Sequence, residues 1–255
     1  MIALVKAFGD RSEAEGFLSV AMILGKASAW DGAERRWIDA TKRLGPLPFR
    51  MTNFIAREKD HARRIESLSP LVSIIHETAL LATAGVMNMA DWAILPELVT
   101  HRLGTNYLML ATTAFAQIAK WNTDLENEDR SFACVFESGK EEGQKEFRET
   151  TRLILDQSEM LRTEYGVEDI VLSPKGVVGL SMADMLAWLM THSVPDMHYD
   201  DGLSGALMEQ IREKVPLRRM YLTREFLLQV ARRNDWNNVL DVVGRYGIRL
   251  PGHDT

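Results

Sequence analysis

Apolar and polar positions along this chain follow two different periods, and their succession predicts a sheet interleaved with helices. Ile2 to Phe8 reads as a first strand and Phe17 to Leu24 as a second, joined by a polar turn around Asp10, Arg11 and Gly16. Ser28 is placed to cap a helix running to Leu44, with Trp30, Ala33, Trp37, Ala40 and Leu44 at helical spacing. Gly45-Pro46-Leu47-Pro48 ends it, and Phe49 to Phe54 follows as a short extended or loop segment. Ser69-Pro70 has the form of a helix start, leading into a strand over Leu80 to Met89. Tyr107, Leu108, Ala111, Ala114, Phe115 and Ile118 mark an amphipathic helix, and Ser131 to Phe136 a strand ending at Glu137-Ser138-Gly139. Phe147, Thr151, Ile154 and Leu161 mark a further helix, Asp169 to Leu172 a short strand, and Leu180 to Met190 a helix with Ala183, Leu186, Ala187 and Met190 at core spacing. Strands alternating with helices imply an α/β fold with a mixed sheet.

Bulk composition narrows the picture. At 255 residues and 46% hydrophobic, the chain is long enough for one large domain, or a domain with a helical extension. The formal net charge of −6 argues against a protein that attracts nucleic acid through its overall charge. The tail departs from this balance, with nine basic residues against four acidic ones between Arg212 and Arg249. Leu222, Phe226, Leu227 and Val230 give it an apolar helical face, so it reads as a packed helix with a basic solvated side or as a phosphate-binding arm. The lone cysteine, Cys134, lies in an apolar run without a basic neighbour, which excludes a disulfide framework and points to a buried structural thiol. The N-terminus reaches charge at Lys6, too soon for a signal peptide, and no apolar run approaches the roughly 20 residues of a membrane span. A cytoplasmic protein without a membrane partner is expected.

Two acids stand where an α/β fold assembles chemistry. Glu137 follows an apolar strand and is either a strand-end site residue or part of a solvated turn before Ser138-Gly139. Asp184 lies close to the apolar stripe of its helix, where an unpaired carboxylate is costly and a metal or cation would relieve the cost. Ser181-Met182-Ala183-Asp184 also has the form of a capping box, in which the acid returns to the helix N-terminus. His61, His76, His101, His192 and His198 show no metal-ligand pairing at short spacing, and the methionines read as core filling.

Taken together, these segments resemble the bacterial domain-of-unknown-function 3800 family, which has a ribonuclease H-like fold. Val135-Phe136-Glu137-Ser138-Gly139 resembles its strand-end F-D-x-G, and Leu180 to Trp188 its helix start L-Q-x-A-D-x-x-A-[YW]. Val5-Lys6-Ala7-Phe8-Gly9 falls where the family has D-E-S-G, and Phe49 to Phe54 where it often has F-H-x-x-D-F. Asn106-Tyr107-Leu108 falls at the start of a Tyr-rich helix, so the likeness spans roughly residues 1–192. It implies a ribonuclease H-like domain over residues 1–195 and a basic helical C-terminal extension, 196–255, packed on it.

On this alignment the family's first-strand Asp becomes Lys6, its loop His becomes Arg50, its loop Asp becomes Asn53 and its strand-end Asp becomes Glu137, while Asp184 is retained. Ribonuclease H-like enzymes use two cations about 3.5–4 Å apart, which need several anionic oxygens. The leading expectation is therefore a catalytically degenerate, binding or regulatory protein without a cofactor, in which Lys6 pairs with Asp184 and Glu137. It would bind a protein partner, or nucleic acid through Arg57, Arg63, Arg64, Arg218 and Arg219. The alternative is an active Mg- or Mn-dependent nuclease, with Asp10 turning back to join Glu137 and Asp184 as metal ligands. A structural subunit of a bacterial assembly, in defence against mobile elements, is a third reading.

Overall fold

The structure is a computed structural model that describes residues 5–124, 131–137, 149, 166–173, 176–194 and 202–233. Its centre is a hairpin. Strands β1 (Val5–Ala14) and β2 (Phe17–Lys26) pair antiparallel over ten residue pairs, from Val5 opposite Lys26 to Ala14 opposite Phe17. The two-residue connection, Glu15-Gly16, holds both residues at positive φ, 46° and 80°, as a tight turn matched to strand twist requires. The first strand thus runs six residues beyond the predicted end at Phe8. Asp10 and Arg11, read as part of a turn, are strand residues, and only Gly16 of that reading lies in the turn.

Strand β3 (Ala79–Asn88) adds antiparallel to β2. On the other side β4 (Phe132–Glu137) pairs parallel to β1, and β5 (Val167–Ser173) parallel to β4. A sixth strand, β6 (Leu217–Tyr221), pairs parallel to β3, giving the order β5-β4-β1-β2-β3-β6. The mixed sheet flanked by helices is the expected α/β architecture. The tail differs from a purely helical extension, because β6 is hydrogen-bonded into the main sheet through Ala82 to Val86. The marks of a helix around Phe147, Thr151, Ile154 and Leu161, the turn at Ser138-Gly139, His198 and the tail beyond residue 233 lie outside the described residues.

Helices cover both faces. Helices α1 (Ala27–Thr41), α2 (Met51–Arg57), α3 (His61–Thr78), α7 (Val178–His192) and α8 (Leu203–Arg212) share one hydrophobic core with Phe8, Ala21, Ile23 and Ala84 of the sheet. The opposite face carries α6 (Asn106–Asp124) and α9 (Arg224–Arg233), with the short helices α4 (Met89–Ala93) and α5 (Glu97–Leu103) against it, over Ala7, Val20, Met22 and Leu24. Odd and even strand positions serve different cores, the period-2 alternation of a sheet buried on both sides.

Three local readings change. Helix α1 is preceded by Lys26, which makes no side-chain cap, rather than being capped by Ser28. Helix α3 begins nine residues before Pro70, where Asp60 caps it by accepting the Arg63 amide at 2.8 Å. Pro70 lies inside that helix on its exposed side. Leu68, Leu71, Val72 and Ile75 meanwhile stay buried on the sheet side. The segment Phe49 to Phe54, expected as extended or loop, enters helix α2 at Met51.

Helix α7 lies directly on β1 and β2, and every one of its residues except Asp184 is buried. Gly179 permits this approach: a Cβ there would stand 2.4 Å from the Phe8 ring. Close packing at that point seats the first turn of α7 on β1 at Phe8.

Candidate functional site: an acid cluster around Arg50

The parallel register of β1 on β4 runs from Val5 beside Phe132 to Gly9 beside Phe136, so its continuation sets Asp10 beside Glu137, the last residue of β4. Asp10 follows Phe8, and Glu137 follows Val135, on the face covered by α7. Asp184 projects from α7 towards the same point. Three carboxylates from two strands and a helix therefore converge at a strand end, where α/β sheets place their chemistry.

At the centre of the three stands Arg50. Its Nη1 donates to Asp184 Oδ1 at 2.9 Å and to Asp10 Oδ2 at 3.1 Å, and its Nη2 donates to Glu137 Oε1 and Oε2, each at 3.2 Å. Asp184 Oδ2 accepts the Met51 backbone N–H at 3.1 Å, and Asp10 Oδ1 accepts that of Arg11 at 2.8 Å. Side-chain exposure is 4% for Asp10, 7% for Glu137, 15% for Asp184 and 22% for Arg50. Asp10 and Glu137 are the enclosed members of the cluster, and Asp184 and Arg50 its more exposed side.

Electrostatics explains why a cation must sit there. Unit charges about 4 Å apart interact by about 4 kcal/mol at an effective dielectric near 20, so three grouped carboxylates repel one another strongly unless a positive charge lies between them. Burial alone would push the Arg50 guanidinium down, but the fields of Asp184 and Asp10 and their hydrogen bonds outweigh it and hold the group above its ordinary value. Arg50 is a permanent cation in this setting. Its contacts are charge-assisted hydrogen bonds, worth roughly 1.5–3 kcal/mol each where both partners are largely shielded from water.

Lys6 does not take this position. It lies four residues before Asp10 on the same strand face, about 13 Å away at the rise of a β-strand. The expected pairing of Lys6 with Asp184 and Glu137 is replaced by that of Arg50, because β1 continues past Phe8 and carries Asp10, not Lys6, to the end of β4. The sequence held a signal for this in the strand period itself: Asp10, like Phe8, falls on the covered face once β1 is continued past Phe8.

The capping-box reading of Asp184 also falls. Helix α7 starts at Val178, so Ser181 lies inside it and donates its hydroxyl to the Phe49 carbonyl at 3.1 Å. Asp184 instead serves α2, whose first amide it accepts. Asn53 is exposed on α2, and its side chain is not among the hydrogen-bonding partners of the cluster.

The basic residues expected to bind nucleic acid do not form one face. Arg57 donates to the carbonyls of Leu44 and Asn53, and Arg64 to those of Glu58 and Ile55, closing the C-terminal end of α2. Arg63 is exposed on α3. Arg219 binds Ser193 Oγ at 2.7 Å at the end of α7 and lies 4.9 Å from the centre of the Tyr221 ring, and burial pushes its guanidinium down. Arg218, its strand neighbour, points to the opposite side of the sheet. Cys134 is fully buried, and burial pushes its thiol up, as a structural thiol requires.

The donor set is one that hard divalent cations accept: carboxylate oxygens on three separate elements. Among the described residues, no three His, Cys, Asp or Glu side chains are arranged to hold a metal ion. The Arg50 guanidinium occupies the space between the three acids. No helix of the described residues is long and apolar enough to cross a membrane. No family model matches the chain, and neither a curated protein nor a solved structure matches it.

Proposed function

We propose that this protein is a ribonuclease H-like, divalent-metal-dependent phosphodiesterase whose acid cluster is Asp10, Glu137 and Asp184. The observation that carries the reading is the convergence of these three carboxylates on one point at the end of β4. The mixed sheet with helices on both faces fits the same reading. The expectation of a degenerate site rested on Lys6 and on Arg50 and Asn53 in place of family ligands; Lys6 lies elsewhere on the strand, and Arg50 stands among the acids. Buried carboxylate clusters do not improve a fold over well-packed apolar groups, so a cluster of three invites a role beyond stability.

In this reading Asp10, Glu137 and Asp184 would hold the cation, which when bound activates water and stabilises the leaving oxygen of a phosphodiester. The chain's own contribution is placement. Strand β1 and the end of β4 hold two acids side by side, and α7 brings the third over them. The test is cleavage of RNA and DNA oligonucleotides in Mg2+ or Mn2+. The reading expects cleavage by the wild type that Asp10→Asn and Asp184→Asn each reduce at least about 100-fold. Cleavage that survives both substitutions, or none with any substrate, rejects it.

A second reading is favoured by a specific observation: the guanidinium already bonds all three acids. If that arrangement is permanent, Arg50 replaces the metal and the chain is a binding or regulatory protein, acting on a protein partner or nucleic acid. That reading expects no metal binding by the wild type under any condition.

A further inference from the structure

Beyond the C-terminal end of β3 the helices α4, α5 and α6 follow one another and frame an open cavity of about 500 Å3. Trp92 of α4, Glu97, Thr100 and His101 of α5, and Asn106 at the start of α6 line it. The frame is fixed from within. Asn88 caps α4 by accepting the Ala90 amide at 2.8 Å, and Thr105 accepts the Leu108 amide at 3.2 Å at the start of α6. Gly104, at a φ of 75°, makes the turn from α5 into α6. Trp92 is half-buried and packs against the core beneath α6, which limits where its ring can turn.

The polar groups of this cavity are not engaged by the fold. Among the described residues, no hydrogen bond or ion pair involves the Glu97 carboxylate, the His101 ring or the Trp92 indole N–H. The Asn106 amide meets the Met89 sulfur at 3.7 Å, a weak acceptor. Glu97 and His101 stand one helical turn apart and share a face of α5. An aromatic wall with a few converging donors and acceptors, in a space of this size, is the make-up of a small-molecule site.

The residue chemistry selects among ligands. A simple ammonium would use the Trp92 face and the Glu97 carboxylate but leave the Asn106 and indole donors unmatched. A nucleobase uses both kinds of group, with a flat ring to stack on an indole and donors and acceptors along its edges. Guanine fits best. Its N1–H and its N2 amino group are adjacent donors for one carboxylate, while O6 and N7 accept from an amide or an imidazole. Adenine and cytosine each set an amino group beside a ring nitrogen that carries no hydrogen, and a carboxylate is repelled there.

We propose that the cavity between α4, α5 and α6 binds a guanine base, with Trp92 as its stacking platform and Glu97 as the acceptor of N1–H and the N2 amino group. This goes beyond the reading of the acid cluster and does not depend on whether Arg50 and its three acids serve catalysis. The base can arrive as a free nucleotide or as an unpaired residue of an RNA strand.

Isothermal titration calorimetry of the full chain in metal-free buffer tests this. Guanosine monophosphate is expected to bind, inosine monophosphate, which lacks the N2 amino group, about 10-fold more weakly, and adenosine monophosphate at least as weakly as that. Trp92→Ala is expected to weaken guanosine monophosphate at least about fivefold. Glu97→Gln is expected to weaken it about 10-fold and to leave guanosine and inosine monophosphates bound alike, a loss of selectivity that a merely structural role would not produce. Circular dichroism establishes that the variants are folded, and Trp92→Leu replaces Trp92→Ala if the latter is not. A short oligouridylate carrying one guanosine separates the two sources: tighter binding than the free nucleotide assigns the site to an RNA strand, and equal or weaker binding assigns it to a nucleotide. No binding of guanosine monophosphate in the millimolar range overturns the proposal. So does adenosine monophosphate binding equally well, or affinity that neither Trp92→Ala nor Glu97→Gln changes. None of these outcomes touches the metal-dependent reading, since neither metal nor cleavage enters the measurement.

Discussion

Asp184 and Met51, 133 positions apart in the chain, are joined by a hydrogen bond in which the Asp184 carboxylate accepts the Met51 backbone N–H at 3.1 Å. The same carboxylate binds Arg50 through its other oxygen, so one side chain both caps helix α2 and anchors the cation beside it. Asp184→Asn keeps an acceptor for the amide and loses the charge, with an expected cost of about 1–3 kcal/mol. Asp184→Ala loses the cap too and is expected to cost about 1 kcal/mol more. Urea denaturation of the two variants checks this, and equal costs would remove the capping role.

Replacing Arg50 by Met removes the guanidinium that bonds all three carboxylates. The expected loss is about 3 kcal/mol, the order of removing one partner from a buried charge cluster. Added salt should recover part of it by screening the repulsion. In the wild type, the Asp184 and Asp10 carboxylates hold the Arg50 guanidinium above its ordinary value. The stability it contributes is fully present below that unfolded value and is lost only as pH rises through the still higher folded one. Denaturation curves across the neutral range should therefore show no transition belonging to Arg50.

Lys6→Met should be nearly silent. Lys6 makes none of the cluster's contacts, and Met keeps the apolar stem of this half-buried side chain, so the change should cost less than about 1 kcal/mol. Mn2+ titrations of the variant should match those of the wild type. A change in metal affinity would return Lys6 to the site.

Gly179→Ala tests the packing that positions Asp184. The added Cβ would lie 2.4 Å from the Phe8 ring, so α7 or the ring must shift, at a cost of about 1–3 kcal/mol. Phe8→Leu in the same chain should return part of that stability. A double-mutant cycle on thermal unfolding reads the coupling.

Arg219→Ala removes a cation from the C-terminal end of α7 and its stacking on Tyr221, with an expected loss of about 1–2 kcal/mol. The salt dependence of any nucleic-acid binding should keep its slope, because a guanidinium occupied by Ser193 and Met190 is not a phosphate contact. A slope that falls by about one on Arg219→Ala would restore the phosphate-binding role of the tail.

Hydrophobic periodicity was enough to read the strands at 17–24, 80–89 and 131–136 and the helices at 28–44 and 180–190, because each buries its own regular face. Glu137 and Asp184 were legible as candidates because an acid at the end of an apolar run is costly wherever it falls. The extent of β1 was not legible. Gly9, Asp10 and Ser12 carry turn chemistry, and only pairing with β2 across ten residues makes them a strand. Helix α2 is seven residues long and is capped from outside, so no local signal announces it.

The choice between Lys6 and Arg50 as the central cation depended on those two elements together. Local sequence determined which acids would need a positive charge, since desolvation acts on each residue where it stands. Which side chain supplies that charge was decided by the tertiary structure, through the register of β1 on β4 and the docking of α2 on α7. Coulomb attraction over a few ångströms responds to spatial distance, which is set only once strands and helices are packed.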